Sequence, residues 1–408
     1  MPRSSSKEEA SRAAGKGVDM SNAIPDIRSL YRLPYSKNDN PNGWVEITTH
    51  CHMRCPDCYR GCGRDDIAQA HETLEAIKAN IDEIVRLRNC QIISISGGEP
   101  LLHPDLDEVV NYVAGLGLNP WLQTSALGLS RVRVDELKRA GLKGFVIRVD
   151  SLQPLREHLT ERDLNLVRDE LARTVGGIPE THLTFIAVVN ARNLQGVPDI
   201  IEWARLNSEL VDFVGFIPMR QVKFREEDVI DHSGWIYLED LCRVVDVRFP
   251  ELKYASYLGG LGEAASIKWL QSAWVMQEGR ILGYFGPKLV ELFQVGHHLW
   301  KGRYAYKFGK GRSRIAVAVI LGLSPFVKEL RPIAKKAIKL VIGNPLKLLS
   351  RASVQVLSYI IPPGLDNRME DLCDGCPDAI LYQGRLVPSC GLEEVKWRSK
   401  KGRVEQEA

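Results

Sequence analysis

The segment THCHMRCPDCYRGC, residues 49–62, places four cysteines within twelve positions of a chain that has nine among 408 residues. Cys51, Cys55 and Cys58 follow a C-x3-C-x2-C spacing, and Cys62 stands four residues further on. Three thiolates on one short loop can converge on a metal group, and thiolate is the usual ligand of iron–sulfur clusters and of structural zinc. Structural zinc wants four ligands, usually as two CxxC-type pairs, so three cysteines with an open fourth position suit an iron–sulfur cluster better. A second set lies near the end of the chain. The stretch CDGCPDAILYQGRLVPSC holds Cys373 and Cys376 as a CxxC and Cys390 fourteen residues later. Its YQGRLVPSC part reads as a hairpin turning at Gln383-Gly384, which delivers Cys390 beside the CxxC. A fourth ligand is missing locally, and Cys62, Cys242, a histidine or a substrate are the alternatives. The metal is a second iron–sulfur cluster or a mononuclear zinc or iron, and the bland alternative is three thiols that hold no metal. Cys90 and Cys242 fall within or beside helical patterns, where buried, inert thiols are common.

The opening residues, MPRSSSKEEASRAAGKGVDMSNAIPD, are polar with no apolar run after the basic ones, so no secretory signal is expected. The thiols are then expected reduced, in the cytoplasm, where clustered cysteines read as metal or redox sites rather than a disulfide framework. Residues 1–25 are read as a disordered tail. With 44% hydrophobic and 26% charged residues the rest is ordinary globular composition, long enough for one large α/β domain and an accessory region.

The cysteine loop is positioned by what surrounds it. WVEITT (44–49) and QIISISG (91–97) read as strands, with a helical pattern near 72–88 between them. The alternation continues through a helix ending in Gly117, strand NPWLQTS, a helix closed by Gly141 and strand GFVIRVD. A helix over 165–175, strand 182–190, helix VPDIIEWARLN and strand 211–219 complete six strands with five helices between them. Nearly continuous apolar strands separated by helices imply an α/β fold with a parallel sheet buried on both faces, doubly wound or a full or partial (βα) barrel. Functional residues then gather at the carboxyl ends of the strands, where the first cysteine set begins.

The C-x3-C-x2-C after a first strand, followed after the second by SGGEPLLHP (96–104), resembles the radical S-adenosylmethionine (SAM) enzymes over residues 44 to about 220. The resemblance implies a partial (βα)6 TIM-type barrel over residues 26–220. It also implies a [4Fe–4S] cluster on Cys51, Cys55 and Cys58, its fourth iron chelated by the amino and carboxylate groups of SAM. One electron would cleave the sulfonium bond, and the 5′-deoxyadenosyl radical would take a hydrogen atom from an unactivated carbon. A small reductase or flavodoxin-type protein would donate the electron. Gly97, Gly98, Glu99 and Pro100 are the expected SAM-binding turn, the glycines for close backbone approach and Glu99 for the ammonium. Thr124 and Ser125 stand where the family often has Thr-Asn-Gly, and Arg148, Asp150 and Ser151 where it often places ribose-binding groups. Asn190, with Asn193 nearby, follows the fifth strand as a ligand contact or a turn residue. Asp57 replaces the aromatic that usually precedes the third cysteine, and Tyr59 is the residue positioned to take over. The carboxyl-terminal knuckle, residues 366–408, resembles the auxiliary-cluster regions called SPASM or Twitch, with fewer cysteines than those carry.

Between lies a basic, amphipathic region, 221–365, of a mixed and partly helical kind. From Lys288 to Arg351 there are 14 Lys and Arg against Glu291 and Glu329, a local charge of +12 that leaves −9 elsewhere in a chain of net +3. The apolar run Ile315–Leu323 is too short to span a bilayer. FVKELRPIAKKAIKLV puts Leu330, Ile333, Ala334, Ala337 and Val341 on one face and Lys335, Lys336 and Lys339 on another, the pattern of a helix lying on a membrane surface or packed on the barrel. Tyr304, Tyr306 and Phe308 interleave with basic residues, but no RNA-binding motif accompanies them, which argues against nucleic acid. His297 and His298 read as packing or surface residues. The functional expectation is a radical SAM enzyme acting on a lipid or other apolar, membrane-associated substrate, peripheral on the cytoplasmic face. It is similar in organisation to radical SAM enzymes that join or modify alkyl chains. The alternatives are a peptide or protein maturase with an auxiliary cluster, and a non-catalytic RNA-binding or scaffold protein with a structural cluster.

Overall fold

The period-two alternation inside each apolar run decides which side chains face the helices and which face inward, and the inward set builds a chamber. The computed structural model describes residues 24–399 apart from 57, 63, 177–179, 223, 225–227, 262–265, 307–310, 313–320, 344–350, 364–371, 394 and 397–398. Asp57, Phe308, residues 1–23 of the tail and most of the Ile315–Leu323 run lie outside the described residues.

After β1 (Tyr31–Arg32), six strands pair in parallel in chain order: β2 (Asn42–Thr48), β3 (Ile92–Gly97), β4 (Asn119–Thr124), β5 (Gly144–Arg148), β6 (His182–Val189) and β7 (Phe213–Pro218). The connecting helices are α1 (Leu74–Leu87), α2 (Leu106–Gly115), α3 (Arg131–Ala140), α4 (Asn165–Val175) and α5 (Val197–Leu206). Local signals set their ends. Thr73 and Ser130 accept from Ala76 N and Arg133 N as N-caps, and Gly141, at φ +112°, closes α3. Outward-facing Leu122, Ile147, Phe185 and Val189 join the helix faces in the main core. Their neighbours Trp121, Gln123, Val146, Arg148, His182, Thr184, Ile186 and Val188 line an internal cavity, as alternation along a strand requires. The strand path stays open, so the six parallel strands form a partial barrel.

The later region continues the same sheet. It contains α6 (Leu238–Arg248), β8 (Ser256–Gly259), β9 (Ile267–Gln277), β10 (Arg280–Tyr284), α7 (Pro287–Lys301), β11 (Gly311–Arg312), α8 (Leu330–Gly343) and β12 (Arg351–Ile360), followed by β13 (Ala379–Tyr382) and β14 (Arg385–Pro388). Strand β12 lies parallel to β7 and antiparallel to β9, while β13 lies parallel to β2 and antiparallel to β14. The expected hairpin forms, with Gln383 and Gly384 both at positive φ in its two-residue turn.

Helix α8 settles one open alternative. Its apolar face, Leu330, Ile333, Ala334 and Ala337, is buried, with Leu330 and Ile333 packed among Val275, Leu282, Leu289 and Val327. Burying a Leu or Ile is worth roughly 1.5–3 kcal/mol, against about 1 kcal/mol for each basic residue near an anionic bilayer, so this face stays docked. Its lysines 335, 336 and 339 point outward.

The carboxyl-terminal knuckle is tied to the first barrel strand by buried polar groups. Arg88, 2% exposed, donates to the carbonyls of Lys37, Asn42, Cys376 and Pro377. Asn40 and Asn42 donate to Gly375 O and Pro377 O. Gly375 adopts φ +68°, and a Cβ there would lie 2.2 Å from Tyr35 O, so only glycine fits this CxxC turn. Arg88→Met removes the donors to four carbonyls. It is expected to lower stability by roughly 3 kcal/mol and to expose the 377–392 hairpin to limited proteolysis before the barrel is cut.

Candidate active site

Strand β3 ends in the turn that carries the acidic residue. Gly97, at φ +125°, and Gly98 press against the end of β2, where added Cβ atoms would stand 2.3 Å from Thr48 O and 2.1 Å from His50 O. Gly98 N donates to Thr48 O and Glu99 N to His50 O, each at 2.7 Å, so the GGE turn is laced to the residues that lead into Cys51. The close approach that the glycines allow is therefore to the chain's own backbone, although both also line the cavity. Glu99 is buried at 1% exposure and accepts from four donors: Thr124 Oγ1 (2.6 Å), Leu101 N (3.2 Å), Ser125 N (2.9 Å) and Ser125 Oγ (2.6 Å). A carboxylate has about four lone-pair directions, so an ammonium that reaches Glu99 takes the place of a hydroxyl proton while the backbone donors stay.

The cysteine loop is braced from both sides. Cys58 N and Gly61 N close tight turns onto Cys55 O and Cys58 O. Arg60, largely shielded, forms an ion pair of 2.5 Å with Glu46 on β2 and a second with Glu393. Tyr59 donates to Glu46 and lines the cavity. Burial raises the Cys51 thiol above its ordinary value, and a hydrogen bond with Cys58 followed by burial raises Cys62 much further.

The cavity has a volume of about 350 Å³. Cys51, Cys55, Cys58, Gly97, Gly98, Glu99, Thr124, Ser125 and Arg148 line it, and so do Cys373, Cys376 and Cys390. Asp150, Ser151, Asn190 and Pro100 are placed off its wall. Asp150, fully buried, holds the Arg148 guanidinium at 2.8 Å and accepts from Val188 N. Ser151 gives both its N–H and its hydroxyl to Glu161, itself paired with buried Arg168. Asn190 forms a turn, its side chain accepting from Arg192 N. Cys90 and Cys242 are buried away from the cavity.

Several wall residues carry no motif. Trp121 stacks on His182 at 4.2 Å between ring centres, and Tyr306, from the basic segment, meets Trp121 edge-on at 5.6 Å to form the floor. His182 contacts Thr184 Oγ1 at 2.9 Å and Asp212 at 3.3 Å. Near the knuckle, burial pushes the Asp378 carboxyl up to about 7, and the Lys268 ammonium opposes the rise that a Cys376 hydrogen bond and burial impose on Cys373. For Trp121, His182, Thr184 and Lys268 the sequence signal is the inward phase of their strands.

Residues 45–204 match the family described as the radical SAM superfamily. They form a radical SAM domain. Over 186 residues the chain is 28% identical to GTP 3′,8-cyclase 1 of Mycobacterium tuberculosis, a match covering 42% of this chain and 50% of the relative. It is 33% identical over 163 residues to the PqqA peptide cyclase of Bradyrhizobium diazoefficiens, covering 39% and 41%. Among solved structures, Streptococcus suis SuiB bound to S-adenosylmethionine superposes with a TM-score of 0.39 at 15% identity, over 52% of this chain and 47% of that one. The chain spans about half the length of the curated relatives it matches.

Radical SAM domains work with a [4Fe–4S] cluster and SAM, and the donor set fits that pair. Among the described residues no three His, Cys, Asp or Glu side chains converge on a single ion, and a cluster needs no such point because each thiolate takes a different iron. Gly98→Ala drives a methyl into His50 O and so displaces the cysteine loop. Overpacking of this kind costs roughly 1–3 kcal/mol. The variant is expected to retain less iron after anaerobic reconstitution, by iron assay and visible absorbance. Gly115→Ala, where nothing stands within 4 Å, is expected to keep the parent's iron content.

Proposed function

We propose that the chain is a radical SAM enzyme that abstracts hydrogen from an unactivated carbon of a largely apolar molecule, a lipid or similar membrane-associated substrate. The observation that carries this reading is the single cavity walled by both cysteine sets and by Trp44, Val146, Ile186, Phe213, Trp269 and Ile360. A pocket of that volume and lining suits an apolar ligand oriented by a few polar groups. Cys51, Cys55 and Cys58 would hold the cluster, which would pass one electron to SAM and so split its sulfonium bond into methionine and a 5′-deoxyadenosyl radical. Glu99 receives the SAM ammonium, while Thr124 and Ser125 turn their hydroxyls to accept. Arg148, fixed by Asp150, offers its remaining donors to the cofactor or substrate. The electron comes from a small reductase or flavodoxin-type partner.

Cys373, Cys376 and Cys390 hold a second iron–sulfur cluster in this reading. A mononuclear zinc or iron held by the same three thiolates is the alternative. With three protein thiolates lining the cavity, such a cluster would leave one position for a further ligand, a substrate heteroatom among them.

A second reading, modification of a peptide, is favoured by the 33% identity to a peptide cyclase. Release of 5′-deoxyadenosine from anaerobically reconstituted, reduced protein separates the two. Stimulation by a membrane lipid extract is expected, and stimulation by a peptide fraction alone moves the assignment to peptides. Cys55→Ala is expected to abolish release while leaving the thermal unfolding midpoint within a few degrees. Release at the parent rate by that variant overturns the whole reading.

A further inference from the structure

Helix α7 carries four exposed apolar side chains that the chemistry leaves unused. On α7 the buried side is Leu289, Val290 and Gln294, which fix the helix to the body. Its opposite side is apolar and open. Leu292 and Val295 are each 45% exposed, Leu299 82% and Trp300 77%, and nothing stands within 4 Å of the position a Cβ would take on Gly296. Residues 292, 295 and 299 are spaced i, i+3, i+7, so they form one stripe along the helix.

Basic residues dominate the segment that carries this stripe, and Asp39, the acid from another element beside α7, is engaged with His298 at 2.8 Å. The only acids between Lys288 and Arg351 are engaged within the chain: Glu291 pairs with Lys288 at 2.8 Å, and Glu329 accepts from Lys288 N and Leu289 N at the start of α7. Lys301 lies over the Trp300 ring at 4.0 Å, and α8 turns its lysines 335, 336 and 339 to solvent beside Ile342, itself 78% exposed. An occupant must therefore be apolar within and anionic around its edge. A second copy of this chain would oppose one +12 segment to another, which disfavours it.

We propose that the stripe of Leu292, Val295 and Leu299 on α7, with Trp300 at its flank, is a membrane-docking surface that inserts into anionic lipid, with lysines of α7 and α8 contacting headgroups. Exposed Leu and Trp beside Lys is the composition that partitions to the bilayer interface, and this surface replaces the face of α8 that the fold buries. Tyr306, five residues past the end of α7, lines the cavity, so a short segment joins the docking surface to the chamber. The inference extends the lipid reading above, yet its test uses no SAM chemistry.

Full-length reconstituted protein is sedimented with vesicles of phosphatidylcholine plus phosphatidylglycerol and with vesicles of phosphatidylcholine alone. Binding only to the anionic vesicles, weakened by salt, is expected. The double variant Leu299→Ser, Trp300→Ser is expected to partition at least about tenfold more weakly at an unchanged thermal midpoint. Lys335→Glu, Lys336→Glu and Lys339→Glu together are expected to remove the preference for anionic lipid. No binding to either vesicle, equal binding to both, or equal binding by the Leu299/Trp300 variant overturns the proposal. So does parent self-association that the variant loses, which would give the stripe to a second copy. Vesicle binding without stimulation of 5′-deoxyadenosine release by lipid would leave this surface standing and remove the lipid substrate.

Discussion

A single buried cation decides where the last third of the chain can lie. Arg88 leaves the end of α1 with its guanidinium fully enclosed and meets carbonyls of the 37–42 segment and of the Cys376-Pro377 turn. Removing a guanidinium from water costs several kcal/mol unless its donors are satisfied, so the knuckle must sit where those carbonyls converge. That requirement fixes β13 beside β2, and β2 in turn delivers Cys51 from its far end. The two cysteine sets, more than three hundred residues apart in sequence, face one chamber because both are referenced to the same strand.

At the other end of that strand the constraint is backbone against backbone. Gly97 and Gly98 allow β3 to touch the Thr48–His50 carbonyls, and the Glu99 carboxylate then gathers Thr124 and Ser125 from β4 and the loop after it. Three consecutive strand ends are locked by these contacts before any ligand arrives. Such preorganisation lets a bound cofactor meet oriented dipoles instead of ordering them itself.

The barrel was legible because its strands are continuous apolar runs between capped helices, and observed ends lie within about two residues of those read from pattern. The GGEP turn and first cysteine set were legible through spacing. Strands β9 and β12 were not, although IKWLQSAWVMQ is rich in apolar residues. In β12 the polar positions are buried for a reason that pattern cannot display: Gln355 donates to Ala204 O and Val211 O, and Ser353 to Ser208 O, capping the end of α5. The basic helix was read correctly as amphipathic, but which partner its apolar face meets depends on β10, a strand that the sequence reading lacked. The Trp121–His182 stack is equally invisible, since it needs the register of β4 against β6 through β5.

Strands β12 and β13 cover the two outer edges of the six-stranded parallel unit. An uncovered parallel strand presents a row of free amides and carbonyls, the template on which sheets of different molecules add to one another. The matched domain, residues 45–204, is thus not a self-sufficient module in this chain. The strands that flank its sheet, β7 with β12 on one side and β13 on the other, come from outside the match or are paired by segments outside it.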